Sequence, residues 1–145
     1  KITPEVIAAA PQLKIVVRAG AGYDNVNLDA ATENNVVVMN TPGQNSNAVA
    51  ELAIGMMIYQ ARNHFNGTSG SELKGKKLGI HAYGNVGKYV ANIAKGFGME
   101  VYAYDPFVMK ETIEEDDVFV KDSVDDLYSI CYYISLHIPA NYQTK

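Results

Sequence analysis

The sequence predicts an α/β fold with a doubly wound parallel sheet, and three observations carry that expectation. Short β-branched runs alternate with stretches of helical spacing along the chain. Clusters of Gly, Pro and Asn separate them. A glycine turn, residues 82–87, joins a strand to a helix, and a second strand ending in an acid follows. At 145 residues the chain is long enough for a packed core and short for a complete two-domain enzyme. Its 48% apolar and 19% charged content is that of a globular protein rather than a disordered one.

Charge and cysteine usage narrow the function classes. The net charge is −4, and the lysines cluster no more densely than Lys74, Lys76 and Lys77, so no nucleic-acid surface is expected. Cys131 has no second cysteine to pair with, which removes a disulfide or a cysteine metal site within one chain and points to a reducing, cytoplasmic setting. No apolar run approaches the roughly 20 residues of a membrane span, and no membrane role is expected. The chain begins on Lys1, with no signal-peptide core, and stops soon after a strand, so it reads as a piece cut at both ends.

Element by element, Thr3 and Pro4 start a helix that Pro11 closes, and residues 13–17 form a buried strand. The loop 18–25 carries Gly20 and Gly22, which allow backbone N–H groups to approach a ligand. Asp29 is expected to cap a short helix through Glu33. Asn34 and Asn35 turn the chain into a strand at 36–39, which Asn40, Thr41, Pro42 and Gly43 end. Val49, Leu52, Ala53, Met56, Met57 and Gln60 then recur at helical spacing over residues 47–65, with Ser46 or Asn47 as cap. Residues 66–71 are small and polar, the most linker-like stretch present, and mark a boundary. The expected division is 1–44, 45–71 as helix and linker, and 72–145.

The second half repeats the alternation. A strand at 77–82 leads to a helix over 85–97, with Val86, Val90, Ile93, Ala94 and Phe97 inward and Gly98 closing it. A strand at 101–104, a charged segment at 111–117, a short strand at 118–120, a helix capped by Ser123 and a strand over 130–136 complete the order, with Pro139 ending the last.

Residues 82–87 read Ala-Tyr-Gly-Asn-Val-Gly at the strand-to-helix turn. A helix N-terminus offers unpaired N–H groups and partial positive charge to a pyrophosphate, Gly84 has no Cβ to obstruct it, and Gly87 lets helix and strand pack closely. Asp105 lies 21 residues beyond Gly84, where its carboxylate can accept hydrogen bonds from ribose hydroxyls and repel a 2′-phosphate, favouring NAD over NADP. Ala82 replaces the usual first glycine, and the strand, helix, strand and acid around the turn supply the context that a degenerate motif needs. Methyltransferases share a glycine turn and an acid after the second strand, and remain open at this level. In a sheet of this type the fourth strand lies beside the first, which would bring Ile138 and Pro139 to the adenosine side.

Residues 18–26 (Arg-Ala-Gly-Ala-Gly-Tyr-Asp-Asn-Val), Asn40-Thr41-Pro42, Val49-Ala50-Glu51-Leu52, Phe97-Gly98-Met99, Tyr104-Asp105-Pro106 and 135–139 (Ser-Leu-His-Ile-Pro) occur in this order over essentially the whole chain. In this the sequence resembles the D-isomer-specific 2-hydroxyacid dehydrogenases, and among them most nearly those that oxidise D-3-phosphoglycerate. The resemblance implies part of a flavodoxin-like substrate domain, a long crossing helix and the first part of a Rossmann-type NAD-binding domain. It implies Asn85 and Val86 on the pyrophosphate, Asp105 at the ribose, Ile138 and Pro139 along the adenosine, and Ala21 near the nicotinamide, with Ala82, Gly84 and Gly87 completing the cofactor-binding turn. It further implies that the amides of Ala21 and Gly22 hold a substrate carboxylate, with Arg18 for an anionic, phosphorylated hydroxy acid; Arg suits this because it binds carboxylate or phosphate bidentately. A surface cation ending a strand is the plainer reading of Arg18.

The family's catalytic Arg, Glu and His would fall beyond residue 145, so no catalytic residue is assigned; His64, His81 and His137 are expected to be structural. The resemblance also implies a small-molecule substrate, a D-2-hydroxy acid, and a homo-oligomer for the full-length protein. Glyoxylate or hydroxypyruvate reductases and dinucleotide-sensing transcriptional corepressors share the motifs and stand as alternatives.

Overall fold

The computed structural model describes residues 1–139. The chain divides into two compact units, Lys1–Asn45 and Ser46–Lys145.

The first unit contains α1 (Pro4–Ala8), β1 (Ile15–Arg18), α2 (Leu28–Glu33) and β2 (Val37–Asn40). The strands are parallel, Ile15 opposite Val37 and Arg18 opposite Asn40. Parallel strands require a crossover, and α2 supplies it, burying Ala30 and Ala31 with Ile7 and Val36. The α2 cap is Asn27 rather than Asp29: its side chain accepts the Ala30 N–H at 2.8 Å. A cap needs extended backbone, which Asn27 has, whereas Asp29 already lies in the first helical turn, where its charge complements the helix dipole. Asn35 takes the left-handed conformation (φ 54°) that asparagine tolerates in a turn.

The second unit contains α3 (Ser46–Ala61), a 3-10 turn (Asn63–Phe65), β3 (Lys77–His81), α4 (Asn85–Gly96), β4 (Glu100–Tyr104), α5 (Lys110–Glu114), β5 (Phe119–Val120), α6 (Val124–Ile130) and β6 (Tyr133–Leu136). The strands form one parallel sheet in the order β5-β4-β3-β6. That is the half-sheet of the Rossmann type, with the fourth strand beside the first. His81 pairs with both Tyr104 and Leu136, so the carboxyl ends of three strands finish level. Ala82, Asp105 and His137 therefore emerge at one edge.

The core of this unit holds Leu78 and Ile80 of β3, Val101 and Ala103 of β4, and Val90, Ala91 and Ala94 of α4, all buried. Burying side chains of the leucine and isoleucine class contributes roughly 1.5–3 kcal/mol each. α3 packs on α4 through Ala50 and Ile54. The buried face is thus not the one its larger residues suggest: Leu52 is 64% exposed and Met56 62%. Small side chains are what allow two helices to approach closely, and an apolar residue outside that line stays on the surface. The linker-like residues 66–71 fall within this unit and return the chain to α3, where the Ser71 N–H donates to the Ala61 carbonyl at 2.8 Å.

Other boundaries shift for local reasons. Phe97, expected inward, is 44% exposed, because the helix ends at Gly96 and Gly98 turns the chain at φ 71°. The charged segment after β4 contains α5, whose one buried residue, Ile113, anchors an otherwise polar turn. Residue 130 closes α6 instead of opening β6, and Ser123 caps α6 by accepting the Asp126 N–H at 3.0 Å.

A Cβ added at Gly79 of β3 would lie 2.7 Å from Ile134 Cδ1 and 3.0 Å from Leu127 Cγ. Leu127 is fully buried, so the neighbour cannot yield freely. Gly79→Ala is expected to cost about 1–3 kcal/mol by overpacking, read as a lower urea midpoint at unchanged slope.

Candidate functional site

The edge where β3, β4 and β6 end is built around the turn into α4. Gly84 is the N-cap of α4 with extended backbone, and no side chain caps the helix. The first N–H groups of an α-helix have no partner inside it, so they face outward here with the positive end of the dipole. A Cβ on Gly84 would meet nothing within 4 Å: the position is open to a ligand. Gly87 is a glycine for the opposite reason, since a Cβ there would sit 2.6 Å from the Ala82 carbonyl oxygen and 3.1 Å from Ile80 Cγ2. Asn85 is exposed beside Gly84, and Val86 is half-buried against the core. Together they make a cradle fitted to a phosphate group.

Asp105 stands at the end of β4, half-buried. Its Oδ2 accepts the Tyr83 N–H at 2.7 Å and its Oδ1 the Phe107 N–H at 2.8 Å. A carboxylate oxygen has two acceptor sites, so each keeps one for a hydroxyl donor. The acid therefore fastens the turn and still has capacity for a ribose.

Ala82, at the first motif position, holds φ 79°, the left-handed region. Its N–H donates to the Tyr104 carbonyl at 2.9 Å. The residue after it has no pattern of its own in the sequence. Tyr83 is 1% exposed, and its hydroxyl donates to Asp116 Oδ2 at 3.1 Å. Burial, with the Asp116 charge beside it, holds the phenol well above the usual tyrosine range. The available signal was its size in a turn of otherwise smaller residues.

From β6, the His137 N–H donates to the His81 carbonyl at 2.9 Å, so Ile138 (half-buried) and Pro139 (exposed) run on beside the turn. Ser135 Oγ and His137 Nε2 lie 2.8 Å apart. His81 is half-buried at the strand end, with Nδ1 at 3.0 Å from the Tyr128 hydroxyl, rather than enclosed within the sheet. His64 lies past the end of α3, with φ 58° and its Nε2 2.9 Å from Gln60 Oε1.

The remaining sequence candidates lie in the first unit. Arg18 ends β1 and folds back on its own loop: Nη1 donates to the Ala19 carbonyl at 2.9 Å, and the guanidinium covers Gly20. Ala21 is half-buried, its carbonyl accepting from Asn40 Nδ2 at 2.8 Å, and Gly22 is exposed. Asn40 is thus the residue that fixes this loop. Among the described residues, no group of three His, Cys, Asp or Glu side chains is placed to hold a metal ion.

A parallel half-sheet with an open, uncapped helix start and an acid after the second strand defines a nucleotide-binding class of α/β protein. The chain belongs to the D-isomer specific 2-hydroxyacid dehydrogenase family, whose catalytic-domain model matches residues 1–136. It is 38% identical along its whole length to the D-3-phosphoglycerate dehydrogenase of Methanocaldococcus jannaschii, of which it spans 30%. It is 37% identical to the hydroxypyruvate reductase of Thermotoga maritima, of which it spans 50%. The NAD+-bound 3-phosphoglycerate dehydrogenase of Entamoeba histolytica superposes with a TM-score of 0.87 at 48% identity, over all of this chain and 46% of that one. The apo D-lactate dehydrogenase of Escherichia coli gives 0.83 at 31%, over 99% of this chain and 49% of that one.

Two outcomes follow from the geometry of the site. A left-handed alanine costs about 1–2 kcal/mol, which exceeds the chain entropy of up to ~1 kcal/mol that a glycine adds to the unfolded state. Ala82→Gly is therefore expected to raise the thermal midpoint. Burial holds the His137 imidazole below its ordinary value of 6.5. Its contribution to stability is then complete above pH 6.5 and is lost as pH falls through the depressed folded value. A His137→Gln variant should show a flatter stability profile as pH falls below 6.5 in urea titrations.

Proposed function

We propose that the protein carrying this chain is an NAD-dependent oxidoreductase that oxidises D-3-phosphoglycerate to 3-phosphohydroxypyruvate. The observation that carries the reading is the open, uncapped start of α4 with Asp105 beside it. In that role Gly84, Asn85, Val86 and Gly87 hold the pyrophosphate, Asp105 the adenosine ribose, and Ile138 with Pro139 the adenosine flank. Ala82 forms the turn beneath them. Ala21 borders the nicotinamide, and the amides of Ala21 and Gly22 with Arg18 take the anionic substrate.

Bound here, the nicotinamide would supply the hydride acceptor for the C2 hydrogen of the hydroxy acid. The chain's own contribution is to bind and orient: helix N–H groups neutralise the phosphates, and Asp105 selects a ribose without a 2′-phosphate by charge repulsion. The proposed organisation is a substrate-domain segment over 1–44, the crossing helix and linker over 45–71, and the start of the nucleotide domain over 72–145. A cytoplasmic homo-oligomer completes this reading.

The likeness to a hydroxypyruvate reductase supports a second reading, reduction of hydroxypyruvate or glyoxylate at the same site. Steady-state turnover of the whole protein separates the two. Oxidation of D-3-phosphoglycerate with NAD at a kcat/KM well above that for the unphosphorylated acid supports the first, and the reverse preference supports the second. For the cofactor, losing a charged hydrogen-bond acceptor costs about 1.5–3 kcal/mol, roughly 10–100-fold in affinity. Asp105→Ala should weaken NADH by that factor in a fluorescence titration and raise the affinity for NADPH relative to NADH. Unchanged NADH affinity would remove the ribose assignment.

A further inference from the structure

We propose that Tyr83 and Asp116 are positioning residues for the dinucleotide turn: a clamp of a buried phenol on a half-exposed carboxylate that keeps Ala82 in the left-handed conformation a glycine would adopt unaided. The proposal rests on the reading of residues 82–87 as the pyrophosphate turn.

Ala82 is where the turn is strained, with φ 79° on a residue that has a Cβ. Returning it to ordinary backbone would rotate the peptide between Ala82 and Tyr83. That peptide is engaged at both ends. The Ala82 carbonyl oxygen lies against Gly87, 2.6 Å from where a Cβ would stand, and the Tyr83 N–H donates to Asp105 Oδ2 at 2.7 Å. Relaxation would thus detach the acid from the turn and lift the turn from the start of α4. The backbone contacts alone are those any such turn can make with a glycine at position 82. What this chain has in addition is the side chain of Tyr83, fully buried beneath the turn and tied by its hydroxyl to Asp116.

Asp116 is a firm anchor for that bond. Its N–H donates to the Ile113 carbonyl at 3.2 Å at the end of α5, and Ile113 is itself fully buried. The Asp116 carbonyl accepts from Lys95 Nζ, and Lys88 Nζ stands 4.0 Å from its Oδ2. Both lysines belong to α4, the helix whose N-terminus the turn presents. Turn, helix and the corner after α5 are therefore joined through one residue, by its carboxylate to Tyr83 and Lys88 and by its main-chain carbonyl to Lys95, and Tyr83 is the link that reaches the strained residue.

A phenylalanine at 83 keeps the apolar ring and loses only the hydroxyl; an asparagine at 116 keeps an oxygen that can accept it. The test is a set of variants of the whole protein, each in an Ala82 and an Ala82→Gly background, read by NADH fluorescence titration and thermal midpoint. Tyr83→Phe and Asp116→Ala are expected to weaken NADH at least fivefold with alanine at 82 and less than twofold with glycine, while Asp116→Asn stays within twofold of the parent in both. Equal losses in the two backgrounds, or none in either, would overturn the clamp, since a tyrosine that merely fills space would not depend on residue 82. If the parent binds no NADH, the pyrophosphate reading fails. The midpoints then judge the clamp alone, which requires a larger drop on Tyr83→Phe with alanine at 82 than with glycine.

Discussion

The close approach of α4 to the end of β3 is the contact on which the rest of the second unit depends. It exists because residue 87 has no side chain to hold the Ala82 carbonyl away. With helix and strand this near, Val90, Ala91 and Ala94 reach the sheet, and α3 can then lie on α4 through Ala50 and Ile54. The same approach brings the uncapped helix start to the level where β4 and β6 end. Packing and the placement of the open helix start are here consequences of one missing methyl group.

Gly84 shows why two glycines in one motif are not equivalent. A side chain at 87 collides with backbone, whereas a side chain at 84 meets open space. The fold requires the first and tolerates the loss of the second, so constraint at 84 comes from whatever approaches the helix. Asp105 serves the fold and, in the proposed role, the ligand, with one lone pair on each oxygen spent on Tyr83 and Phe107 and one remaining. Removing the acid therefore disturbs the turn as well as any ribose contact.

The parallel half-sheet was legible because its signals are local and periodic: apolar runs at 78–80 and 101–104, glycines at 84 and 87, and an acid at the strand end. The placement of β6 beside β3 followed from topology once those strands were recognised. What was not legible depends on contacts between distant residues. Nothing in the spacing of α3 distinguishes the line through Ala50 and Ile54 from the bulkier line through Leu52 and Met56, because the choice is made by how closely α4 can approach. Asn27, two residues before Asp29, caps α2 because its backbone is still extended. The bond from Tyr83 to Asp116 spans 33 residues, and neither residue shows a pattern of its own.

The degenerate first position of the motif acquires a different meaning in this light. Ala82 is not accommodated by a relaxed, opened turn: it holds a glycine-like φ of 79° while its N–H keeps the bond to Tyr104. An unfavourable local conformation persists only where surrounding contacts over-determine it. Here they come from three directions: Tyr104 on β4, Asp105 at its end, and the buried ring of Tyr83 below. A fingerprint read only as a string counts Ala82 as a defect. Its tolerance is a property of the neighbours, and a substitution at 82 cannot be judged without the residues at 83, 105 and 116.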